Sequence, residues 1–598
     1  AMGTLQRVLL LGCIPLGALG IYRFMGPLVS QRARVVAVIC YLGLPLPYGS
    51  LGAGRWDGLI AYALFPFIAL RLAGAAGVQP FAVEPGSRWR TRPAGQVAVL
   101  GALVAVGSSF APALAPLVLV AALAWVVGSY LVGARDADWR PLAVAGAAVG
   151  LALVLLAPWV VGTALAGKGA IAIFGLPVAG ATAPDWGELV RFAIGPVARS
   201  PLVWLLIAAA ALPLAIGRGI RLVWAARLWV MACASWGFAL AAVRGGMGSF
   251  APSVPVVLAP AALAVAACLG LGISSFENDL SGREFGWRQV VGGVALLFGV
   301  VGLLPVAAGA VSGRWNLPAQ GVEQPLSFLG RSGSTDVARV LWLGDPRALP
   351  VGGWSIDPGL SYALTPATLP DTSQVLTPAG PGPTSMVAQA VRLATTGGTV
   401  HLGRLVASDG VRYIVLVQGL APSTVGSLTP SVNAPPPQGL ETDLLEQDDL
   451  HLVPGDVGIS VFENDEAMPV TAQRAAALPV VRDWTYPAAP DVAGWQPVLA
   501  SLSGSSPARG PVPSGTVYAG YAPAGHFALT VDGRPVARQP AFGWAAQFAT
   551  TKGTAELSLA QFPYVPLAVT AEVVLWVALA AGLVGRRRRP PPAHRSAS

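Results

Sequence analysis

Apolar residues in the first half of this chain neither alternate nor recur in stripes; they run on. Ten such stretches, bounded by charge or by Gly and Pro, fall at about 5–22, 33–48, 57–73, 96–109, 111–133, 141–163, 202–217, 221–243, 254–272 and 288–311, and an eleventh at 566–584. About 17 to 25 apolar residues is the length that crosses a bilayer as a helix. The pattern therefore predicts about eleven transmembrane helices, with the short stretches at 33, 57 and 96 as candidates for broken or re-entrant segments. Between 313 and 565 the pattern changes. VARVLWLG, VRYIVLVQ and GISVFEN predict buried strands at 337–344, 411–418 and 458–464, with helical periodicity between them at 385–395 and 438–450. After residue 490 come short strands and turns: TVYAGY, then HFALTVDGRPV turning at Asp532-Gly533, then GWAAQFATTKGTAELSL, read as a second hairpin at Lys552-Gly553.

The predicted fold class is an α-helical polytopic membrane protein with an extracytoplasmic α/β plus β-sandwich domain. Its parts are a membrane domain of about ten helices at 1–312, an α/β domain at 313–489 and a β-sandwich at 490–565. A final helix at 566–584 and a basic tail at 585–598 complete it. Composition agrees: 11% of residues are charged and 54% hydrophobic, with a mean hydropathy of +0.62. Soluble proteins carry about 25% charge, so an ordinary soluble enzyme is excluded.

A net charge of +9 could suit nucleic acid, but its distribution does not. Residues 1–312 hold 20 Lys and Arg against 9 Asp and Glu, whereas residues 313–565 hold 13 against 19. The basic excess lies beside apolar segments and reads as topology and lipid contact. Cys13, Cys40, Cys233 and Cys268 all fall in apolar runs, leaving no disulfide framework or CxxC site at 313–565. The four His show no ligand spacing, and no GxSxG, HExxH or P-loop occurs, so hydrolase and nucleotide-driven pump readings gain no support. No cofactor is evident.

Arginines set the expected orientation. The last helix runs into Arg586–Arg589, which predicts a cytoplasmic tail and an extracytoplasmic 313–565. Counting back, the inner loops hold Arg23, Arg32, Arg34, Arg71, Arg88, Arg90, Arg92, Arg135, Arg140, Arg218, Arg221, Arg283 and Arg288, and the outer loops only Arg55, Lys168, Arg191, Arg199 and Arg244. Residue 1 then lies outside with no initiating Met, so the chain is expected to be the C-terminal part of a longer protein.

Two outer loops carry candidate chemistry. In PYGSLGAGRWD, a Gly-rich loop ends in Arg55 and Asp57 at a helix mouth, a phosphate ligand beside a general base or metal ligand; the plainer reading is an interfacial ion pair with a Trp. In DWGELVRF, Asp185, Glu188 and Arg191 share one side of a short helix, which is otherwise an interfacial segment. Arg191 and Arg244 are further phosphate candidates, and Asp185 and Glu188 alternative catalytic carboxylates. Glu572 is the one carboxylate inside an apolar stretch. The acidic cluster Asp443, Glu446, Asp448 and Asp449 reads as a solvated helix face.

RVLWLGDPRALP (339–350), TVHLGRLVASDGVRYIVL (399–416), VFENDEAMP (461–469) and VDGRPV (531–536) resemble actinobacterial polytopic glycosyltransferase proteins, in which a family-2 glycosyltransferase domain often precedes a membrane module. Few Lys against many Arg, with abundant Ala, Gly and Pro, fits such GC-rich coding. The last two strings also look like YfhO-like GT-C membrane proteins, and AGRWDGLIAYALFPF (53–67) resembles the matching helix of these and of large mycobacterial arabinofuranosyltransferases. The resemblance implies a GT-C-like membrane body acting on lipid-linked sugars at the outer face. Its partners would be the lipid bilayer, a polyprenyl-linked sugar donor and an envelope glycan acceptor. The family's acidic first outer loop, which activates the acceptor or binds a divalent cation, would lie upstream of Ala1. The alternatives are a non-catalytic membrane-anchored protein that binds glycan or assists export, and, less well supported, a transporter.

The topology is tested by cysteine labelling in a background lacking the four native cysteines. A cysteine engineered within 500–510 is expected to react with an impermeant reagent in intact cells; reaction only after permeabilisation would contradict the orientation.

Overall fold

The computed structural model describes residues 2–52, 55–81, 93–134, 138–165, 184–194, 200–245, 252–279, 287–312, 338–345, 349, 354–366, 383–419, 435–454, 458–475, 494–499, 507–521, 527–559 and 564–588. The chain divides into two compact units. The first comprises Ala1–Pro177, Ala183–Asn316 and Pro566–Ser598, the second Val178–Thr182 and Leu317–Val565.

The first unit is helical: α1 (Met2–Phe24), α2 (Gln31–Leu42), α3 (Pro45–Gly52), α4 (Trp56–Ala76), α5 (Pro93–Phe110), α6 (Leu114–Leu131), α7 (Arg140–Leu155), α8 (Ala157–Leu165), α9 (Trp186–Val190), α10 (Val203–Ala210), α11 (Leu212–Ile216), α12 (Ile220–Val243), α13 (Val254–Asp279), α14 (Trp287–Ser312) and a final helix, Tyr564–Arg588. Among the described residues, seven helices are long and apolar enough to cross a membrane, and four further apolar helices are shorter: Val8–Phe24, Ala94–Phe110, Arg140–Leu155 and Val203–Ile216. The breaks fall differently from expectation. The stretches at 57 and 96 are the unbroken α4 and α5, whereas those at 141 and 202 are each split in two, as is that at 33. Pro45, Pro158 and Pro213 stand in the first two positions of α3, α8 and α11. A proline there starts a helix but cannot donate to the turn before it.

At the centre lies α13, buried at every residue from Pro255 to Gly272 and packed against α2, α4, α10, α11 and α12. Its sequence, VPVVLAPAALAVAACLGLGISSFEND, is rich in Ala. Lipid tails are as apolar as side chains, so helices in a membrane associate through close van der Waals packing of small residues rather than through hydrophobic drive. Alongside, α1, α2 and α4 are locked by Tyr41 and Tyr62. Their rings stack at 4.1 Å and 7°, and each hydroxyl donates to the other's backbone carbonyl, at 2.7 and 2.9 Å. Both polar tips are thereby satisfied without water.

The second unit carries strands β1 (Arg339–Gly344), β2 (Trp354–Asp357), β3 (Leu360–Pro366), β4 (Val411–Val417), β5 (Leu450–Val453), β6 (Ile459–Asn464), β7 (Thr471–Arg474), β8 (Gln496–Pro497), β9 (Ala508–Val512), β10 (Gly515–Ala519), β11 (Phe527–Val531), β12 (Arg534–Pro535), β13 (Arg538–Ala541), β14 (Ala545–Thr550) and β15 (Gly553–Leu559), with helices α15 (Pro383–Thr395), α16 (Leu402–Leu405) and α17 (Leu440–Leu445). A six-stranded sheet runs β2-β3-β1-β4-β6-β5, with β1 and β4 parallel. One face packs on α15 to α17 through Leu341, Leu343, Val391, Leu402 and Leu444. Beyond it, sheets of order β13-β14-β10-β7-β8 and β12-β11-β15-β9 enclose a core that includes Val517, Phe548, Leu529 and Leu557. Asp532 and Gly533 hold φ of 48° and 77° in the expected hairpin turn. Lys552-Gly553 is not a hairpin. β14 pairs with β10 and β13, and β15 with β11 and β9, so the chain changes sheets there. Phe548 and Leu557 must both face the core, and crossing between layers achieves this.

Gly17 and Gly12 make a controlled pair. A Cβ on Gly17 would stand 2.8 Å from Tyr62 Cε1 and 3.1 Å from Tyr41 Cε1, whereas one on Gly12 meets nothing within 4 Å. Helix propensity cancels between them, so Gly17→Ala is expected to be about 1–3 kcal/mol less stable than Gly12→Ala, measured by thermal unfolding in detergent. Equal stabilities would show that the tyrosine stack yields freely.

Candidate site at the paired helix mouths

α4 and α13 run parallel, and their first turns touch. Gly58 is packed so closely that a Cβ would collide with the Pro255 side chain and stand 2.9 Å from Ser50 Oγ. The Arg55 N–H donates to Ser50 O at 2.8 Å, and Trp56 meets Phe110, at the end of α5, edge-on at 5.9 Å. Two long helices thus present their positive ends side by side. Neither end is closed by a side chain: α4 has no side-chain cap, and the Ser253 hydroxyl before α13 is buried and has no hydrogen-bond partner.

Arg55 and Asp57 are both half-buried at this mouth. Two residues apart at a helix start, they do not face each other. Neither has an ion pair or side-chain hydrogen bond among the described residues, so the interfacial ion pair is not what the geometry shows. A cation, a carboxylate, a hydroxyl and two helix N-termini remain uncommitted within one small region. Such a set attracts a phosphate and leaves a base beside it. Most of the expected Gly-rich loop is helical, Pro47–Gly52 being the end of α3, so only residues 53–55 separate it from α4; Ala53 and Gly54 lie outside the described residues, as do Lys168 and Arg199.

The second predicted loop is more committed. Asp185 and Glu188 form a capping box around α9, the Asp185 N–H donating to Glu188 Oε2 at 3.1 Å. Arg191 Nε donates to Gly187 O at 3.0 Å, and the guanidinium lies 6.0 Å from the Trp204 ring. Leu189 and Phe192 are buried, with Phe192 6.2 Å from Trp236 of α12. Arg244 is exposed and follows α12, at the same end of the unit as Asp57. Glu572 is half-buried in the final helix. Sequence reading passed over Arg227, fully buried in α12, whose Nε donates to Ser129 Oγ at 2.8 Å and whose guanidinium lies 5.1 Å from the Trp224 ring. A lone Arg inside an apolar stretch was the available signal.

In the second unit the strings that carry the family resemblance build structure. Asp449 accepts the N–H groups of Gly403 and Arg404, at 3.0 and 2.7 Å, and Gln447 accepts that of Leu402 at 2.9 Å. Asn464 donates to Gly403 O and Val411 O, both at 2.8 Å. A Cβ on Gly403 would collide with the Asn464 side chain. Of the acidic cluster, Glu446 and Asp448 are exposed while Asp449 is buried. No group of three or more His, Cys, Asp and Glu able to hold a metal occurs among the described residues.

The chain matches no family model and no curated protein. Among solved structures it is similar to the arabinofuranosyltransferase AftD from mycobacteria, with 17% identity and a TM-score of 0.46 over 80% of this chain and 35% of that one. A mutant form of AftD gives 14% identity and 0.41, over 93% and 53%. The chain thus spans about a third to a half of the structures it matches. Scores this low leave the assignment of activity to the residues themselves.

Asp449→Ala is expected to destabilise the second unit by about 1–3 kcal/mol, since it orphans one buried and one part-buried N–H group, whereas Asp448→Ala changes stability by under about 0.5 kcal/mol. Urea unfolding followed by tryptophan fluorescence checks both.

Proposed function

We propose that this chain is a membrane glycosyltransferase, or the membrane module of one, that uses a lipid-linked sugar donor at the mouth of α4 and α13. The uncommitted Arg55 beside two uncapped helix N-termini carries the reading. A polyprenyl-phosphate sugar presents its phosphate at headgroup level, where Arg55 and the N-termini of α4 and α13 would hold it. During transfer the bond between the anomeric carbon and the phosphate oxygen breaks, and charge grows on that oxygen. Fixed positive dipoles stabilise this charge without reorganising. Asp57 would take the proton of the acceptor hydroxyl as it attacks the anomeric carbon. The departing lipid phosphate stays against Arg55, and no nucleotide is needed.

The ends of the helical unit support an outward-facing mouth. Arg23, Arg32, Arg34, Arg71, Arg140, Arg218 and Arg221 stand toward the end where α2 begins and α13 finishes, joined there by the bond from Ser30 Oγ to Glu277, at 2.7 Å. Arg55, Arg191 and Arg244 stand toward the other, as does Arg7 near the start of α1. This asymmetry fits a cytoplasmic face opposite the mouth. In this reading the second unit is extracytoplasmic and meets the envelope glycan.

Transfer of radiolabelled sugar from a lipid-linked donor, in membranes containing the full-length protein, tests the assignment. Asp57→Asn is expected to lower kcat by about 10²–10⁴, and Arg55→Gln to raise the donor KM, while Glu188→Gln leaves both unchanged. Wild-type kinetics for Asp57→Asn and Arg55→Gln at equal protein abundance would move the chemistry away from this mouth.

A further inference from the structure

Asp409 closes a short 3-10 turn, Ala407–Asp409, that leads into β4, and its side chain is wholly buried with neither carboxyl oxygen hydrogen-bonded. It lies at the seam between the six-stranded sheet and the sandwich of the second unit. Arg339 of β1 spans that seam, donating to Asp409 O at 2.7 Å and to Gly520 O, just past β10, at 2.6 Å. From the other side, the Tyr518 hydroxyl of β10 donates to Ser408 O at 2.6 Å. The Gly520 N–H reaches Val470 O at 2.7 Å. The hydrophobic filling comprises Met386, Ala407, Met468, Trp495, Tyr518, Phe542 and Trp544. Within and beside it, Thr471 Oγ1, Trp495 Nε1 and Trp544 Nε1 are also buried without partners. Buried polar atoms left unsatisfied are few in native domains, and five of those among the described residues, both Asp409 oxygens included, lie at this seam.

We propose that this seam is a proton-dependent joint, closed while Asp409 keeps its proton and loosened when its carboxyl ionises. In the closed seam a neutral acid costs little, but a carboxylate without a hydrogen-bond donor costs several-fold more. Arg339 relieves it only in part: its positive charge favours the carboxylate, but its guanidinium donates to two backbone carbonyls and to neither carboxyl oxygen. The other groups nearby are accounted for. Tyr518 is neutral, with burial holding its hydroxyl well above the ordinary range. Arg404 of α16 is exposed, Arg412 of β4 pairs with Glu463 at 3.3 Å, Arg392 of α15 faces Asp357 at 3.8 Å, and Arg474 is at the far end of β7.

Burial pushes the Asp409 carboxyl up to about 7 from an ordinary 3.8, against the pull of Arg339. Below about 4 the open and closed forms are both protonated, and closure is strongest. Between about 4 and 7 the open form ionises while the closed form does not, so closure weakens as pH rises, and above about 7 the dependence ends.

Hydrogen exchange of the full chain in nanodiscs tests this. The protection factors of the Gly520 and Arg339 amides are expected to fall by up to about tenfold per pH unit between pH 5 and 7. Asp409→Asn should abolish the slope, and Tyr518→Phe should lower protection at every pH while keeping it. A flat wild-type profile would overturn the joint by itself, even if Asp409→Asn failed to fold; so would a slope retained in Asp409→Asn.

Discussion

The helical unit depends on the dense packing of α13, a membrane-length helix covered on all sides by its neighbours. Water gives such a helix no reason to prefer protein over lipid, so close approach of small side chains must hold it. Its alanines supply that fit, and the Gly58 contact with Pro255 extends it to the first turn of α4. The same contact sets two helix N-termini against each other. Where the packing ends, the candidate site begins.

This arrangement accounts for how much was visible in the residues. Apolar runs mark the helices because length and hydropathy are local properties. Arg55 and Asp57 were legible as a pair for the same reason, being neighbours in the chain. Their real surroundings were not: Ser253 and the start of α13 lie about 200 residues away, and no local pattern predicts that approach. Arg227 escaped notice because an inner-face count of charges looks at helix ends. The sheet change at Lys552-Gly553 escaped because a tight turn between two strands looks alike whether the strands pair or part.

The second unit shows the converse. Its most recognisable strings proved to be braces, with Asp449 and Asn464 tying the start of α16 to β6 and Gly403 leaving room for them. A string can stand out in a sequence and say little about activity when its polar residues are spent on backbone. Asp409 is the exception, a buried residue whose carboxyl oxygens accept no hydrogen bond, and it carries the unit's sensitivity to protons.

Titration of the full chain in nanodiscs with a short-chain polyprenyl monophosphate, followed calorimetrically, tests the phosphate-holding mouth most directly. Saturable binding that weakens by about ten- to a hundredfold in Arg55→Gln, a loss on the scale of one charge-assisted contact, is the predicted result. Equal affinity in the two proteins would contradict it.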